Sequence, residues 1–202
     1  CSSIYQDLNT VEERCCFIEA LTEYNGDDLS LFLRKLIAKE TDALIIRSIL
    51  RAMEELRNPE YSVVVADFLY SEDFKLVLQA IVTLGRCVSA EGISALEARA
   101  GSDLTLDRKI INSLAIAGSQ EAIECLVRLL AKPTAHLRNF ARVALVHLKE
   151  RSVNPLVQAL DVSDKDFCIL ALNTLGETGA PEAVKPIRKF LQTYPEDATI
   201  RF

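Results

Sequence analysis

The sequence contains no tryptophan, one methionine and two histidines, and it has only seven glycines and six prolines. Half of the residues are hydrophobic, which excludes the polar, disordered class of protein. No apolar run approaches the roughly 18 to 20 residues that span a bilayer, so we expect no membrane insertion. The first residues show no basic segment followed by an apolar one, as a signal peptide would. We therefore expect a cytoplasmic, helix-rich protein, and a fragment of a longer chain because residue 1 is not Met.

The charge of the chain is acidic and uneven. The formal net charge is −6, with 17 acidic and 10 basic residues in positions 1–101 and 12 acidic and 13 basic residues in positions 102–202. A protein that binds nucleic acid mainly through phosphate contacts needs a basic stripe, and none is present. We therefore expect no nucleic acid partner, whereas a basic protein partner is compatible with this charge.

Residues that would carry catalysis, a cofactor or a metal are not grouped in the sequence. His136 and His147 lie about three helical turns apart, roughly 16 Å, so they cannot share a metal within one chain. No CxxC pair, GxGxxG, P-loop or GxSxG turn occurs. The adjacent carboxylates lie where helix starts, turns and exposed faces are expected. We expect no enzymatic activity, no catalytic residue, no cofactor and no metal, and we interpret both histidines as solvated or capping residues.

The six cysteines are spaced irregularly. Cys15 and Cys16 are adjacent, which does not suit a disulfide between them. Cys16 and Cys168 occupy helix positions where Ala or Leu would also fit. We interpret the cysteines as small buried hydrophobes in a reducing compartment, with a redox or metal role as the alternative.

A repeat of about 30 residues runs through the chain. Leu-Gly or an equivalent pair ends an apolar run six times, at steps of 32, 28, 33, 31 and 27 residues from Asn25 to Gly176. Gly and Asn tolerate the left-handed conformation that closes a helix, which favours C-terminal caps at Asn25, Gly85, Gly118 and Gly176. Arg57 and Lys149 replace Gly at the other two positions, so we expect those two turns to close differently.

Short polar side chains precede the apolar runs, as N-terminal caps do. Thr10 followed by Glu13 forms a capping box, and Pro181 suits a first helical turn. The other expected caps are Thr41, Ser71, Asp103 (with Thr105 as its rival), Thr134, Ser163, Asp27, Asn58, Ser89, Ser119 and Ser152. The expected helices are 11–24, 28–39, 42–56, 59–70, 72–85, 90–100, 104–117, 120–131, 135–148, 152–161, 164–175 and 181–192. The β-favouring stretch YSVVVADFLY falls in the fourth of these, and we interpret it as a buried helix.

The pattern predicts an all-α fold of about six helical pairs, because each pair alone exposes an apolar face that stacking would bury. We expect one array over 1–202. Its units are approximately 10–40, 41–70, 71–102, 103–133, 134–162 and 163–192.

Two stretches, SDKDFCILALNTLGETGAPEAVKPIRKFL and GSQEAIECLVRLL, resemble the bacterial HEAT-like repeats that also occur in phycobilisome lyase subunits. The resemblance covers about nine-tenths of the chain and implies a right-handed α-α superhelix. It also implies that Arg47, Lys75 and Arg108 bond between repeats to acids such as Asp42, Asp73 and Asp107, with direct ligand contact as the alternative. The chain lacks the His-Glu pairs of the iron-binding hydroxylases built from this repeat, and the basic, aromatic groove of the DNA glycosylases.

The predicted binding surface is the concave face, which second helices line in such arrays. Exposed Leu31, Val63 and Tyr70 would make an apolar patch at one end, typical of a contact site. The alternative is a helical phase one residue out, which would place them in the core. The predicted partner-binding residues are Leu31, Arg34, Val63, Asp67, Tyr70, Glu97, Glu124 and Arg128.

The sequence therefore favours a non-enzymatic scaffold that binds another protein through this face. Two alternatives remain open. One is a subunit of a chromophore lyase or chromophore-removing factor, which the resemblance allows. The other is a structural module that orients flanking domains. The identity of the partner and the oligomeric state are not predicted.

Overall fold

The computed structural model describes residues 1–23, 28–160 and 164–193. Within these ranges every regular element is helical, which confirms the all-α prediction. None of the helices found there is both long and apolar enough to span a membrane. Short 3₁₀ segments cover Leu21–Glu23, Pro59–Tyr61 and Asp67–Tyr70. The α-helices are α1 Ser2–Asp7, α2 Val11–Ala20, α3 Leu29–Ile37, α4 Ala43–Leu56, α5 Ser62–Ala66, α6 Phe74–Cys87, α7 Ala90–Arg99, α8 Leu104–Ala117, α9 Gln120–Leu130, α10 Ala135–His147, α11 Glu150–Gln158, α12 Lys165–Glu177 and α13 Pro181–Thr193.

The chain forms two compact units, Cys1–Ala100 and Gly101–Phe202. In the first unit α4 packs between α2 and α6, while α5 packs against α7. In the second unit α10 packs against α8 and α12, while α11 packs against α9 and α13. First helices thus lie beside first helices and second helices beside second helices, which is the layering of stacked α-α repeats. A single array across both units stays a prediction.

Hydrogen bonds between successive pairs report the repeat period directly. The side chain of Thr83 donates to the carbonyl of Leu50, 33 residues earlier. Gln79 donates to Glu54, 25 residues earlier, and Arg99 donates to the carbonyl of Leu69, 30 residues earlier. These separations bracket the repeat of about 30 residues, because equivalent positions of stacked pairs become neighbours.

Several predicted N-terminal caps are confirmed. Thr10 accepts from the backbone N–H of Glu13 while the Glu13 carboxylate accepts from that of Thr10, so the capping box is present. Asp103 caps α8 by accepting from the backbone N–H groups of Thr105 and Leu106, so Asp103 and not Thr105 is the N-cap. Asn58, Ser89 and Ser119 cap their segments, and Pro181 opens α13.

Other predicted N-caps are wrong or incomplete. Asp42 and Asp73, rather than Thr41 and Ser71, cap α4 and α6, since each aspartate lies closer to the first free N–H groups. Ser152 is buried inside α11, which begins at Glu150 after a positive-φ residue, Lys149. Thr134 precedes α10 but its side chain forms no cap bond. The expected caps Asp27 and Ser163, and the expected C-cap Asn25, lie outside the described residues.

The helix C-termini also differ from the prediction. Gly118 closes α8 in the left-handed region at φ 54°, as expected. Gly85, however, is buried within α6, which continues to Cys87 and ends at a left-handed Val88. Arg57 adopts the left-handed conformation despite its side chain, so the turn after α4 closes in the ordinary way. In the sixth pair the left-handed residue is Gly179 rather than Gly176.

The stretch YSVVVADFLY is helical, as predicted, although only its centre is α-helix. The prediction that it is buried is correct for one face only, since Val63 and Tyr70 are exposed. One element was not predicted, the short helix α1. Its Tyr5 ring packs against Phe17 and Phe32, with ring centroids 6.2 and 6.1 Å away. The phenol donates to Glu40 at 2.7 Å. Burial is the main cause, and this carboxylate the second cause, that raises the pKa of Tyr5 above its usual value.

Candidate partner-binding surface

The exposed apolar side chains of the predicted patch lie on second-helix segments of the first unit. Leu31 of α3 is 50% exposed, Val63 of α5 is 65% exposed, and Tyr70 at the end of the following 3₁₀ segment is 69% exposed. These values exclude the alternative in which the helical phase is one residue out. Asp67 is exposed on the same segment.

The helical phase follows from the spacing of the buried residues. Tyr61, Val65 and Leu69 are spaced four residues apart and are at most 1% exposed. Residues at this spacing share one face of a helix, so they anchor the segment on the core. Val63 and Tyr70 then point away from that face, which is why both side chains are solvated.

Two side-chain contacts connect α3 to the segment that begins at Asn58. The Arg34 guanidinium lies 3.3 Å from the Glu60 carboxylate, and the Asn58 amide donates to the Ser30 hydroxyl at 3.1 Å. The ion pair is exposed, so it contributes only about 0 to 1 kcal/mol to stability. Its structural consequence is that Arg34, a predicted site residue, faces the next repeat across this surface.

Tyr70 is contacted by a residue that the sequence prediction missed. The Arg99 guanidinium of α7 donates through Nε to the carbonyl of Leu69 at 3.1 Å, and its carbon lies 5.8 Å from the centroid of the Tyr70 ring. A guanidinium at this distance from an aromatic ring is attracted by its π electrons. The separation of 30 residues between Arg99 and Leu69 equals the repeat period, which was the available signal.

The remaining predicted site residues lie on α7 and α9. Glu97 of α7 is half-buried in the first unit. Glu124 and Arg128 belong to α9 of the second unit, where Glu124 is half-buried and Arg128 is exposed. Glu124 accepts a hydrogen bond from the amide of Gln120 one turn earlier, at 2.9 Å. Of the predicted partner-binding residues, those up to Glu97 thus lie in the first unit, and Glu124 and Arg128 lie in the second.

Among the described residues that are fully buried and polar, one in the second unit is a carboxylate. Asp107 of α8 has no solvent exposure, and its two oxygens lie 2.7 Å from the Gly101 backbone nitrogen and 2.7 Å from Nε2 of His136. The interpretation of His136 as a solvated or capping residue is therefore incomplete, because its side chain is 37% exposed but also bonds to Asp107. His147 is exposed. The Asp107 contacts join α8 to α10 and leave the carboxylate inaccessible to a substrate.

The expected ion pairs of Arg47, Lys75 and Arg108 with their predicted acidic partners are not formed in the described ranges. Other basic–acidic pairs do join successive repeats, namely Arg34–Glu60, Arg86–Glu54 and Arg142–Glu177. Asp42 and Asp73 instead accept from backbone N–H groups of their own helices. Asp107 bonds to His136 rather than to a guanidinium or ammonium group. A short acidic side chain just before a helix is held by the free N–H groups there, so it is not available to the neighbouring repeat.

The cysteines fall into two groups. Cys87, Cys125 and Cys168 are buried, whereas Cys1 and Cys16 are exposed and Cys15 is half-buried. The expectation of burial is therefore wrong for Cys1 and Cys16. Burial, and secondarily the Glu54 carboxylate, raises the pKa of Cys87 to about 12. A thiol with so high a pKa is unreactive at neutral pH. Across residues 1–23, 28–160 and 164–193, no three His, Cys, Asp or Glu side chains are grouped to hold a metal ion.

Comparison with known proteins identifies no family. No protein-family model matches the chain, and no curated protein sequence matches it. Among solved structures, human deoxyhypusine hydroxylase in complex with glycerol matches with a TM-score of 0.38 and 12% sequence identity, over 96% of this chain and 77% of that chain. A likeness at this level carries no argument about function.

Proposed function

We propose that this chain is a HEAT-like scaffold without enzymatic activity, which binds a partner protein through the second-helix surface of its first unit. The supporting observation is the exposure of Leu31, Val63 and Tyr70 on consecutive second-helix segments. Large apolar side chains exposed on adjacent repeats are typical of protein contact sites. Tyr and Arg are the residue types that most often dominate binding energy, and Tyr70 lies against Arg99 here.

The charge of the surface narrows the kind of partner. Positions 1–101 hold seven more acidic than basic residues, and Asp67 lies between Val63 and Tyr70 in the exposed segment. A partner with apolar anchors and basic neighbouring side chains would match this pattern. The exposed Asp67 carboxylate would then pair with a basic side chain of the partner.

A matched pair of variants tests the proposal. Val63→Glu introduces a charge on the proposed surface, and Leu44→Glu introduces the same charge on α4, a first helix of the same unit. Leu44 is 60% exposed and Val63 is 65% exposed, so neither change buries a charge. Each variant serves as bait in the lysate of the source organism, with helicity checked by circular dichroism and the captured protein then purified and titrated.

A partner that binds the unmodified chain and Leu44→Glu but not Val63→Glu is the expected result. Equal binding to both variants would show that the second-helix surface is not the contact site. The failure of every form to bind any protein directly would contradict the scaffold function.

A further inference from the structure

The second unit contains a groove between two second helices. α13 packs beside α11, and a cavity of about 540 Å³ lies along them. This volume is within the range of roughly 300 to 1,000 Å³ of protein sites that hold ligands. The residues that line it are Val157, Leu160, Lys185, Pro186, Lys189, Phe190 and Thr193.

Two lysine side chains of α13 line one side of this groove. Lys185 and Lys189 are four residues apart on α13, so they share a face of the helix with their Cα atoms about 6 Å apart. Both are exposed, and neither forms an ion pair within the described parts of the chain. None of the described lining residues is acidic. Within the described ranges, the groove therefore presents positive charge that no acidic lining residue or ion pair neutralises.

The floor of the groove is apolar. Val157 and Leu160 come from the end of α11 and the residues just after it, and Pro186 and Phe190 come from α13. All four are only partly exposed. Pro186 also lacks a backbone N–H, so it offers no donor to a polar ligand. An apolar floor beside a positive edge suits a ligand that is itself both apolar and anionic.

We propose that this groove binds an acidic amphipathic helix of another protein. Two helices side by side form a trough into which a third helix packs by its apolar face. Carboxylates four residues apart on that helix are separated by about 6 Å, which matches the spacing of Lys185 and Lys189. Leu or Phe side chains on the same helix would then cover Phe190 and Val157. A nucleic acid backbone has the charge but not the apolar side chains for this floor.

This inference is independent of the proposed function of the first unit. The residues that line the groove all lie between 157 and 193, and none belongs to the surface around Val63. The Val63→Glu variant is therefore expected to retain groove binding, so that failure of one proposal does not imply failure of the other.

The test uses two synthetic helical peptides of about 15 residues, because shorter isolated helices are marginal in water. One carries Glu pairs at i and i+4 beside a Leu and Phe stripe, and the other carries Gln at those positions. Each is labelled with fluorescein and titrated with the full chain by fluorescence anisotropy. We expect a dissociation constant on the order of 10 μM for the Glu peptide and weaker binding of the Gln peptide.

Position 188 supplies the matched control. Lys189→Glu is expected to weaken binding of the Glu peptide about threefold to tenfold. Arg188→Glu makes the same charge change at an exposed residue of the same helix that does not line the groove. It is expected to change the affinity by less than about twofold, because the charge lies outside the contact.

Several results would overturn the proposal. Equal weakening by both substitutions would show that general charge, not the groove, attracts the peptide. Equal binding of the Glu and Gln peptides would show that the lysines do not recognise carboxylates. Loss of peptide binding in Val63→Glu would show that the peptide does not bind in the groove. Vesicles of phosphatidylglycerol that bind in a Lys189-dependent way, with no binding of the Glu peptide, would assign the groove to a membrane surface instead. Circular dichroism of each variant confirms that the fold is kept.

Discussion

Nε2 of His136 lies 2.7 Å from Oδ2 of Asp107, a carboxylate that has no exposure to solvent. The two residues belong to α10 and α8, the first helices of successive repeats. A buried carboxylate is costly unless hydrogen bonds replace its water, and the Gly101 N–H supplies the second of these. The contact therefore fixes how one repeat stacks on the next within the second unit.

Removal of the imidazole should destabilise the second unit. His136→Ala leaves a buried oxygen of Asp107 without its partner, so we expect the free energy of unfolding to fall by about 1 to 3 kcal/mol. His147→Ala, on the same helix and exposed, should change it by less than about 0.5 kcal/mol. Urea unfolding followed by circular dichroism measures both. Equal effects of the two substitutions would mean that the Asp107 contact does not contribute to stability.

Substitution of two glycines by alanine should have opposite effects. Gly118 has φ 54°, and an added Cβ would lie 2.9 Å from the Arg151 guanidinium, which donates to the Gly118 carbonyl. We expect Gly118→Ala to cost about 1 to 2 kcal/mol, since side chains are disfavoured in the left-handed region.

Gly176 is the matched control for this prediction. It lies within α12, and nothing is within 4 Å of an added Cβ. Gly176→Ala should therefore stabilise the protein by about 0.5 to 1 kcal/mol. The melting temperatures of the two variants should move in opposite directions, and a loss of stability in both would contradict the backbone explanation.

The helices and their faces were predictable because they depend on neighbours in sequence. The four-residue spacing of Tyr61, Val65 and Leu69 defines the buried face, and the exposure of Val63 and Tyr70 follows from it. The sites of helix ends were less predictable. Adjacent polar side chains can each accept from the free N–H groups of the first helical turn. At α4 and α6 the side chains of Asp42 and Asp73, directly before the first helical residue, accept these hydrogen bonds.

The contacts that form between repeats are not the ones that were predicted, although the repeat period contained the information. His136 follows Asp107 by 29 residues and Arg99 follows Leu69 by 30. Residues one period apart become neighbours when pairs stack, but the sequence does not say which of them are long enough and correctly directed to meet. The division of the chain into two compact units was not predictable from the local sequence either. The repeat continues through residue 100 without a Gly- or Pro-rich linker.

The capping box of α2 should make stability depend on pH. Backbone N–H groups of Asn9, then Thr10, donate to the Glu13 carboxylate and hold its pKa below the usual value of 4.5. Because the pKa is lower in the folded chain, the stabilisation is present above pH 4.5 and is lost as the pH falls through the folded value. Glu13→Gln removes this titration but keeps an oxygen acceptor.

The unmodified chain and Glu13→Gln should therefore converge in stability as the pH falls below 4.5. Urea unfolding at a series of pH values measures the difference, and NMR titration of the Glu13 side chain measures its pKa. Glu12→Gln removes a carboxylate of the same turn outside the capping box and is the control. A Glu13 titration at or above 4.5 would show that the box is not formed in solution.

Alkylation should distinguish the two groups of cysteines and report on the end of α6. Cys16 is exposed, whereas Cys87 is 1% exposed and its thiol donates to the Met53 carbonyl at 3.7 Å. Burial raises the pKa of Cys87 to about 12, so its thiol is protonated at pH 8.

Iodoacetamide at pH 8 should therefore modify Cys16 and spare Cys87 in buffer, and modify both in urea, as peptide mass spectrometry would show.

Val88 ends α6 in the left-handed region at φ 44°, an unfavourable conformation for a β-branched residue. Modification of Cys87 in buffer at a rate comparable to that of Cys16 would mean that this strain opens the last turn of the helix. Val88→Gly should then slow the modification, because glycine removes the strain without adding a contact.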